Sequence, residues 1–230
     1  MEAAHRSSLR KLHKIIERWL ARALSEVAKI LRMAGERERG PLPSFVEPHL
    51  LLVLLVTGES GRIGRQALAK RVGLGEGAIR TILKRLRDDG YMEVNASGCS
   101  LTKSGFVAYR ALRKLIPARL RLDSTTLTVG REQLALLVRG GGSRVGNGIP
   151  QRDAAIKVGA SGATTYVLRD SRFQIPGDSS DCERDFPSPV WKKLRRELGP
   201  SDGDAIIVCG AEEELLSEIG ALSAAITLLR

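Results

Sequence analysis

The sequence RQALAKRVGLGEGAIRTILKRLRD, residues 65–88, determines the fold of the first half of the chain. It predicts two helices joined by the turn Gly73-Leu74-Gly75. Where two helices cross closely, only small or apolar side chains fit, and the turn needs a residue that tolerates a left-handed backbone. The stretch places Ala69 at the crossing, glycine at the turn, and Ile79 and Ile82 on the buried face of the second helix. This spacing is typical of a helix-turn-helix.

The elements around this turn predict a winged helix-turn-helix domain over residues 41–122. In chain order they are helices near Glu47–Thr57, Arg65–Val72 and Glu76–Asp88, strands Tyr91–Asn95 and Cys99–Thr102 joined by Ala96-Ser97-Gly98, and a helix near Ser104–Leu115. The alternative is an ordinary helical hairpin with a glycine turn. The β-hairpin follows the second helix where a wing belongs, which favours the winged helix.

Charge is distributed unevenly along the 230 residues. The net charge of +11 divides into +5 for residues 1–40, +8 for residues 41–122 and −2 for residues 123–230. A basic first half indicates a polyanionic partner. Apolar residues make up 43% of the chain, which is enough to form the cores of two compact domains. A solvated basic surface, or a general bias toward arginine, would give the same charge.

Residues 1–40 are predicted to form an amphipathic basic helix and a linker. From His5 to about Met33 apolar residues recur every three or four positions, with Arg and Lys on the other face. The apolar stripe needs a partner, either the next domain or the same helix of a second copy. A membrane-surface helix is disfavoured, since acids as well as bases lie on the polar face. Met33 offers a second start codon, in which case residues 1–32 would not belong to the natural product.

The second helix of the helix-turn-helix supplies the expected contacts to DNA. The residues expected to contact bases are Arg80, Thr81, Lys84 and Glu76. Arg80 is the leading candidate, because arginine donates two hydrogen bonds to a guanine edge. Phosphate contacts, which carry no sequence information, are expected from Arg62, Arg65, Lys70, Arg71, Arg85, Arg87 and Lys103. The wing tip, residues 95–100, has no Arg or Lys and predicts no strong minor-groove contact.

Residues 123–230 predict a separate α+β domain, so the whole chain belongs to the α+β class. The expected elements are strands Thr125–Val129 and Gln133–Val138, a helix near Gln151–Val158, a hairpin Thr164–Ile175 turning at Asp170-Ser171, a helix near Pro189–Leu198, a strand Ala205–Cys209 and a helix Glu212–Leu228. This domain is expected to bind an effector or to mediate assembly.

Two features of the predicted α+β domain suggest a ligand-binding site. The loop Gly140–Gly148 could wrap an anion with its backbone N–H groups, and the charged residues near it are Arg144, Arg152, Asp153 and Lys157. A flexible loop and a helix-stabilising Asp153–Lys157 pair are the plainer alternatives. The loop lacks the ending of a P-loop, and no metal-ligand spacing or cofactor motif is present.

Catalysis and secretion are both disfavoured. Residues 123–230 contain no histidine and no Gly-x-Ser-x-Gly elbow, so Cys209 has no nearby base and no enzyme is expected. The longest apolar run, Leu50 to Val56, is too short for a membrane span. Three widely spaced cysteines fit a reducing compartment, and a soluble cytoplasmic protein is expected.

The segments GEGAIRTIL at residues 75–83 and CSLTKSG at residues 99–105 resemble the winged-helix domains of prokaryotic transcriptional regulators. The stretch QRDAAIKVGASGATT at residues 151–165 is similar to the C-terminal domain of archaeal regulators that carry such a winged helix. The resemblance covers most of residues 41–230 and leaves the N-terminal helix outside. It implies DNA binding, and it names neither an operator nor a ligand.

The sequence therefore predicts a sequence-specific regulator that binds double-stranded DNA and senses a small-molecule effector or assembles through its second domain. A homodimer is expected, since one recognition helix contacts only a few base pairs. The alternative is a nucleotide- or metabolite-binding domain, even a catalytic one, that carries the winged helix as an interaction module. RNA binding is disfavoured by an aromatic content of 4%, because single-stranded RNA is usually bound by stacking.

Overall fold

The computed structural model describes residues 21–34 and 44–230 of the chain. Residues 21–34 form helix α1, which is the described part of the predicted N-terminal helix. The predictions for residues 5–20 and for the linker that follows α1 lie outside the described residues. Val27, Ile30 and Leu31 of α1 are buried, so this part of the apolar stripe packs against the body of the protein.

Residues 47–115 fold as a winged helix, as the sequence predicts. The elements are α2 (Glu47–Ser60), β1 (Arg62–Ile63), α3 (Arg65–Val72), α4 (Glu76–Asp88), β2 (Met92–Asn95), β3 (Gly98–Leu101) and α5 (Lys103–Leu115). The three strands form an antiparallel sheet in the order β1-β3-β2. The two-residue strand β1 is too short for a sequence pattern to reveal, and it is defined only by its pairing with β3.

The turn of the helix-turn-helix has the predicted chemistry. Gly73 ends α3 with a left-handed backbone, φ +67°, and its N–H donates to the Lys70 carbonyl. Ala69 is buried at the crossing of α3 and α4, and Ile79 and Ile82 are buried beneath α4. Small residues at the crossing and the glycine turn therefore fix the angle at which α4 leaves α3.

The C-terminal half, residues 119–230, is built on a five-stranded antiparallel sheet in the order β4-β5-β8-β6-β7. Its strands are β4 (Arg119–Leu122), β5 (Glu132–Val138), β6 (Gly162–Arg169), β7 (Arg172–Gln174) and β8 (Ala205–Ala211), and its helices are α6 (Ile149–Ile156), α7 (Cys182–Asp185), α8 (Val190–Leu198) and α9 (Glu214–Ile226). The predicted hairpin turns at Asp170 and Ser171, which both have positive φ as a tight two-residue turn requires.

The strand predicted at Thr125–Val129 is wrong. The buried side chain of Gln133 holds these residues as a turn, because its Nε2 donates to the carbonyls of Thr125, Thr128 and Gly130. Its Oε1 accepts from the backbone N–H of Thr125. The Gln133 side chain thus satisfies backbone groups that would pair with a neighbouring strand if residues 125–129 were extended. The edge strand is β4 instead, which the predicted boundary at residue 122 had placed with the winged helix.

The two faces of the sheet bury different neighbours. On one face Leu137, Tyr166 and Val208 pack with Trp191 of α8. On the other face α6 and α9 cover the sheet, and this cluster continues through α9 into α2 and the core of the winged helix. The hydrophobic core on this face is therefore shared between the two halves of the chain, with α9 at its centre.

Replacing Gly73 by alanine is expected to destabilise the protein, because its φ of +67° is one that L side chains rarely adopt, and the Leu215 side chain, with Cδ2 2.2 Å from the new methyl, would also have to shift. The left-handed backbone alone costs an L-residue about 1–2 kcal/mol. Gly77→Ala is the matched control: Gly77 lies in the first turn of α4, no neighbouring atom of the described residues lies within 4 Å of a methyl built there, and alanine is a better helix former than glycine, so no loss of stability is expected. Urea denaturation measures both variants, and a Gly73→Ala protein as stable as the wild type would contradict this account.

Candidate nucleic-acid interface

The outer face of α4 carries the residues predicted to contact bases. Arg80, Lys84 and Glu76 are exposed, while the opposite face of the helix is buried beneath them. Thr81 is half-buried, and its hydroxyl donates to the Gly77 carbonyl at 3.1 Å. Arg80 and Lys84 lie one turn apart, so they present two cationic groups along a single line of the helix.

A cleft of about 560 Å³ separates α4 from the wing. Arg65 from the start of α3 and Arg80 from α4 line it, together with Glu76 and the wing-tip residues 95–98. Both α3 and α4 begin after a glycine and have no side-chain cap, so their first-turn N–H groups lack side-chain partners. The lining thus has two arginines and two uncapped helix N-termini against one carboxylate, that of Glu76, a balance that suits an anion such as a phosphate.

The wing tip carries a cation that the local sequence does not show. Pairing of Arg62 with Ser100 places β1 beside the wing, and the Arg62 guanidinium donates to Ser97 Oγ and, at 3.5 Å, to Asn95 Oδ1. Asn95 Oδ1 also accepts from the Ser97 backbone N–H, which rigidifies the turn. The expectation of a wing without Arg or Lys is thus corrected by a residue 33 positions upstream of Asn95. No sequence signal reveals this contact, because β1 is two residues long and is defined only by its pairing with β3.

The predicted phosphate contacts fall into two groups. Exposed side chains on the winged-helix surface are those of Arg62, Arg65, Lys70, Arg87 and Lys103. Arg71 is also exposed, but it is paired: its guanidinium donates to the buried Glu218 of α9 at 2.9 Å, and this hydrogen bond raises the pKa of Arg71. The first group remains a prediction, and Arg71 has a structural partner that competes with any phosphate.

Arg85 is not a phosphate contact, because its side chain is buried. Its Nη1 donates to the carbonyl of Met33 at 2.7 Å and to that of Ala34 at 3.3 Å, and its guanidinium lies over the Phe45 ring. Arg85 therefore ties the last described turn of α1 to α4. The sequence pattern missed this role because the partner is a backbone about 50 residues away.

Arg85→Ala is expected to lower the free energy of unfolding by about 2–4 kcal/mol, since it leaves buried carbonyls without a charged donor. Arg87→Ala, two positions on, removes an exposed side chain paired with its neighbour Asp88 and should change stability by less than about 0.5 kcal/mol. Urea denaturation of the two variants checks this. Equal free energies of unfolding for the two variants would contradict a stabilising role for the buried Arg85 side chain.

The backbone N–H groups of the glycine-rich loop donate hydrogen bonds to acceptors within the protein. The N–H of Gly140 donates to Asp204, that of Gly142 to the Gly203 carbonyl, that of Gly148 to the Val145 carbonyl, and that of Ile149 to Asn147 Oδ1. These donors are consumed within the protein, so the loop does not gather them around an anion. The hypothesis of a backbone anion cradle receives no support from this arrangement.

The four charged residues predicted to bracket a ligand are all exposed. Arg152 pairs with its neighbour Asp153 at 3.1 Å, Lys157 lies at the C-terminal end of α6, and Arg144 ends a 3-10 turn. They line neither the cleft beside α4 nor a second pocket, a groove between α1 and α5. Their role in ligand binding stays a prediction.

The candidate nucleophile Cys209 is buried in β8, and burial raises the pKa of its thiol to about 12. A thiol with that pKa is protonated at neutral pH and is a poor nucleophile. Among the described residues, no three His, Cys, Asp or Glu side chains are grouped to hold a metal ion. Within residues 21–34 and 44–230, no helix has the length and apolar character to cross a membrane.

Comparisons with known proteins give one family match and two similar solved structures. Residues 129–228 match the family described as a domain of unknown function, DUF4443. The chain is similar to the solved structure of a hypothetical protein from Pyrococcus horikoshii, with 25% identity and a TM-score of 0.63 over 80% of this chain and 93% of that one. Because 80% of the chain is matched, this likeness extends well beyond residues 129–228.

A MarR-family protein from Mycobacterium tuberculosis also matches, with 23% identity and a TM-score of 0.28 over 45% of this chain and 74% of that one. No curated protein matches the chain.

Proposed function

We propose that this protein is a transcriptional regulator that binds double-stranded DNA in a sequence-specific manner through its winged helix. The observation that carries the proposal is the outer face of α4, where Arg80 and Lys84 are exposed on a helix whose other face is buried in a helix-turn-helix. A helix in this setting fits the major groove and presents its exposed side chains to base edges.

The surfaces beside α4 suit the sugar-phosphate backbone. Arg65 lies in the cleft at the start of α3, Arg62 lies at the wing tip, and Lys70 and Lys103 are exposed on the same domain. Such contacts supply affinity that depends on salt and hold the recognition helix in register. We assign base contacts first to Arg80 and Lys84. Thr81 is a weaker candidate, because its hydroxyl already donates to Gly77.

Arg80→Ala is expected to weaken binding to a selected operator by about 1–3 kcal/mol, which is roughly 5- to 150-fold, and to relax the preference at one base pair. Affinity for random duplex should change little. Lys70→Ala is the matched control, since loss of a phosphate contact weakens operator and random duplex alike. Competition binding measures both, and an Arg80→Ala protein with unchanged selectivity would remove Arg80 from the base contacts.

We further propose a non-catalytic role for the C-terminal half, which senses a small molecule or mediates assembly. Two observations support a non-catalytic role. The thiol of Cys209 is buried with a raised pKa, and the N–H groups of the glycine-rich loop donate to protein acceptors, so they are not free to bind a nucleotide. The cytoplasm is the proposed place of action, where the DNA of a prokaryotic cell lies. The functional unit is proposed to be a homodimer, because one recognition helix covers too few base pairs for a specific site.

Sedimentation equilibrium at micromolar concentration is expected to give twice the 25.0 kDa mass of one chain. Operators selected from a random pool should then contain two half-sites about 10 base pairs apart, since the two recognition helices of a dimer lie about one DNA turn apart. A protein that is monomeric both alone and on DNA would contradict the dimer.

A further inference from the structure

Helix α9 of the C-terminal half presses directly on the turn of the helix-turn-helix. The side chain of Leu215, in the first turn of α9, occupies the space beside Gly73, where a Cβ would lie only 2.2 Å from Leu215 Cδ2. The turn that sets the angle between α3 and α4 is therefore in van der Waals contact with the second half of the chain.

One turn further along α9, Glu218 adds a polar link to the same unit. Its carboxylate is buried and accepts from Arg71 Nη1 at 2.9 Å and from Arg119 Nη1 at 2.7 Å. Arg71 lies in the last turn of α3, and Arg119 begins β4 of the sheet. Arg119 also donates to Glu59 at the end of α2. The buried carboxylate thus joins the helix-turn-helix, the sheet and α2 in one cluster.

The opposite side of α9 is packed just as closely against the sheet and α6. A Cβ at Gly220 would lie 2.7 Å from both Ala160 Cβ and Cys209 Sγ, so the helix touches β8 and the segment before β6. Ser223 Oγ donates to the Ala154 carbonyl of α6 at 2.8 Å. Because close-packed interfaces transmit displacement, a shift of α6 or of the sheet would move α9 against the turn at Gly73.

We infer that α9 positions the helix-turn-helix through Leu215 and Glu218, and that the C-terminal half controls DNA binding through these two side chains. The consequence for DNA rests on the proposed function, whereas the positioning itself does not. Coupling of this kind is reciprocal: if the C-terminal half biases the helix-turn-helix, DNA bound to α4 must also act on α9.

Leu216 provides a matched control for Leu215. The two leucines are adjacent and half-buried, but Leu216 contacts Gly159 in the loop after α6, at 3.5 Å from a Cβ there, instead of the turn at Gly73. Truncation of either leucine to alanine removes the same atoms from α9. Leu215 also packs against the shared core, so its truncation costs more global stability, and the two variants must be compared at matched stability. At matched stability, a purely structural role would affect the helix-turn-helix equally in both.

The first experiment needs no DNA. Hydrogen exchange of the full chain is expected to show amides of residues 65–88 exchanging about fivefold or more faster in Leu215→Ala than in Leu216→Ala, when both variants are compared at matched global stability in mild urea. Glu218→Gln, which keeps the size of the side chain and removes its charge, should act on the same residues. Equal exchange of the helix-turn-helix in the two leucine variants would overturn the positioning role.

The second experiment measures the coupling with a duplex operator. Operator affinity is expected to fall about fivefold or more in Leu215→Ala and to stay within twofold of wild type in Leu216→Ala. Operator binding to the wild type should slow exchange at residues 214–220, and this protection should be lost in Glu218→Gln. If operator binding slows hydrogen exchange only up to residue 115 in the wild type, and not at residues 214–220, control by the C-terminal half is overturned. A wild type that binds no duplex would instead refute the proposed function, and the first experiment would still decide the positioning.

Discussion

The buried carboxylate of Glu218 is the interaction on which the relation between the two halves depends. A carboxylate withdrawn from water stays charged only where cations and hydrogen bonds replace its hydration. Here one arginine, Arg71, comes from the helix-turn-helix and the other, Arg119, comes from the sheet. The charge is satisfied only when α3, β4 and α9 are all in place. The shared apolar core around α9 imposes the same condition, so the winged helix and the sheet form one packed body.

This constraint explains how the basic surface is divided. Arginines of the winged helix serve two purposes that sequence composition cannot separate. Arg71 and Arg85 hold the domain to α9 and to α1, whereas Arg62, Arg65 and Arg80 are left on the outside beside the cleft and the wing. The net charge of +8 in residues 41–122 therefore overstates the charge available to DNA, and the exposed part lies around the start of α3, the outer face of α4 and the wing tip.

Much of the fold could be predicted from the sequence, because many helices and turns are determined by residues within the same short segment. The glycine at position 73, the apolar spacing of α4 and the Asp170-Ser171 turn each have a local physical cause. The failures have distant causes. The turn at Thr125–Val129 is made by the side chain of Gln133, the wing-tip cation arrives from β1, and Arg85 is buried by α1. The candidate base contacts were accessible to sequence reasoning because they lie on one face of a single helix.

The most direct measurement of the central claim is the affinity of the full-length chain for duplex DNA as a function of salt, followed by selection from a random pool. Affinity is expected to fall steeply with rising salt, because several exposed cations displace the counterions of DNA, and selection is expected to enrich one roughly palindromic motif. No binding to duplex DNA at low salt, or salt-dependent binding from which no motif is enriched, would contradict a sequence-specific winged-helix regulator.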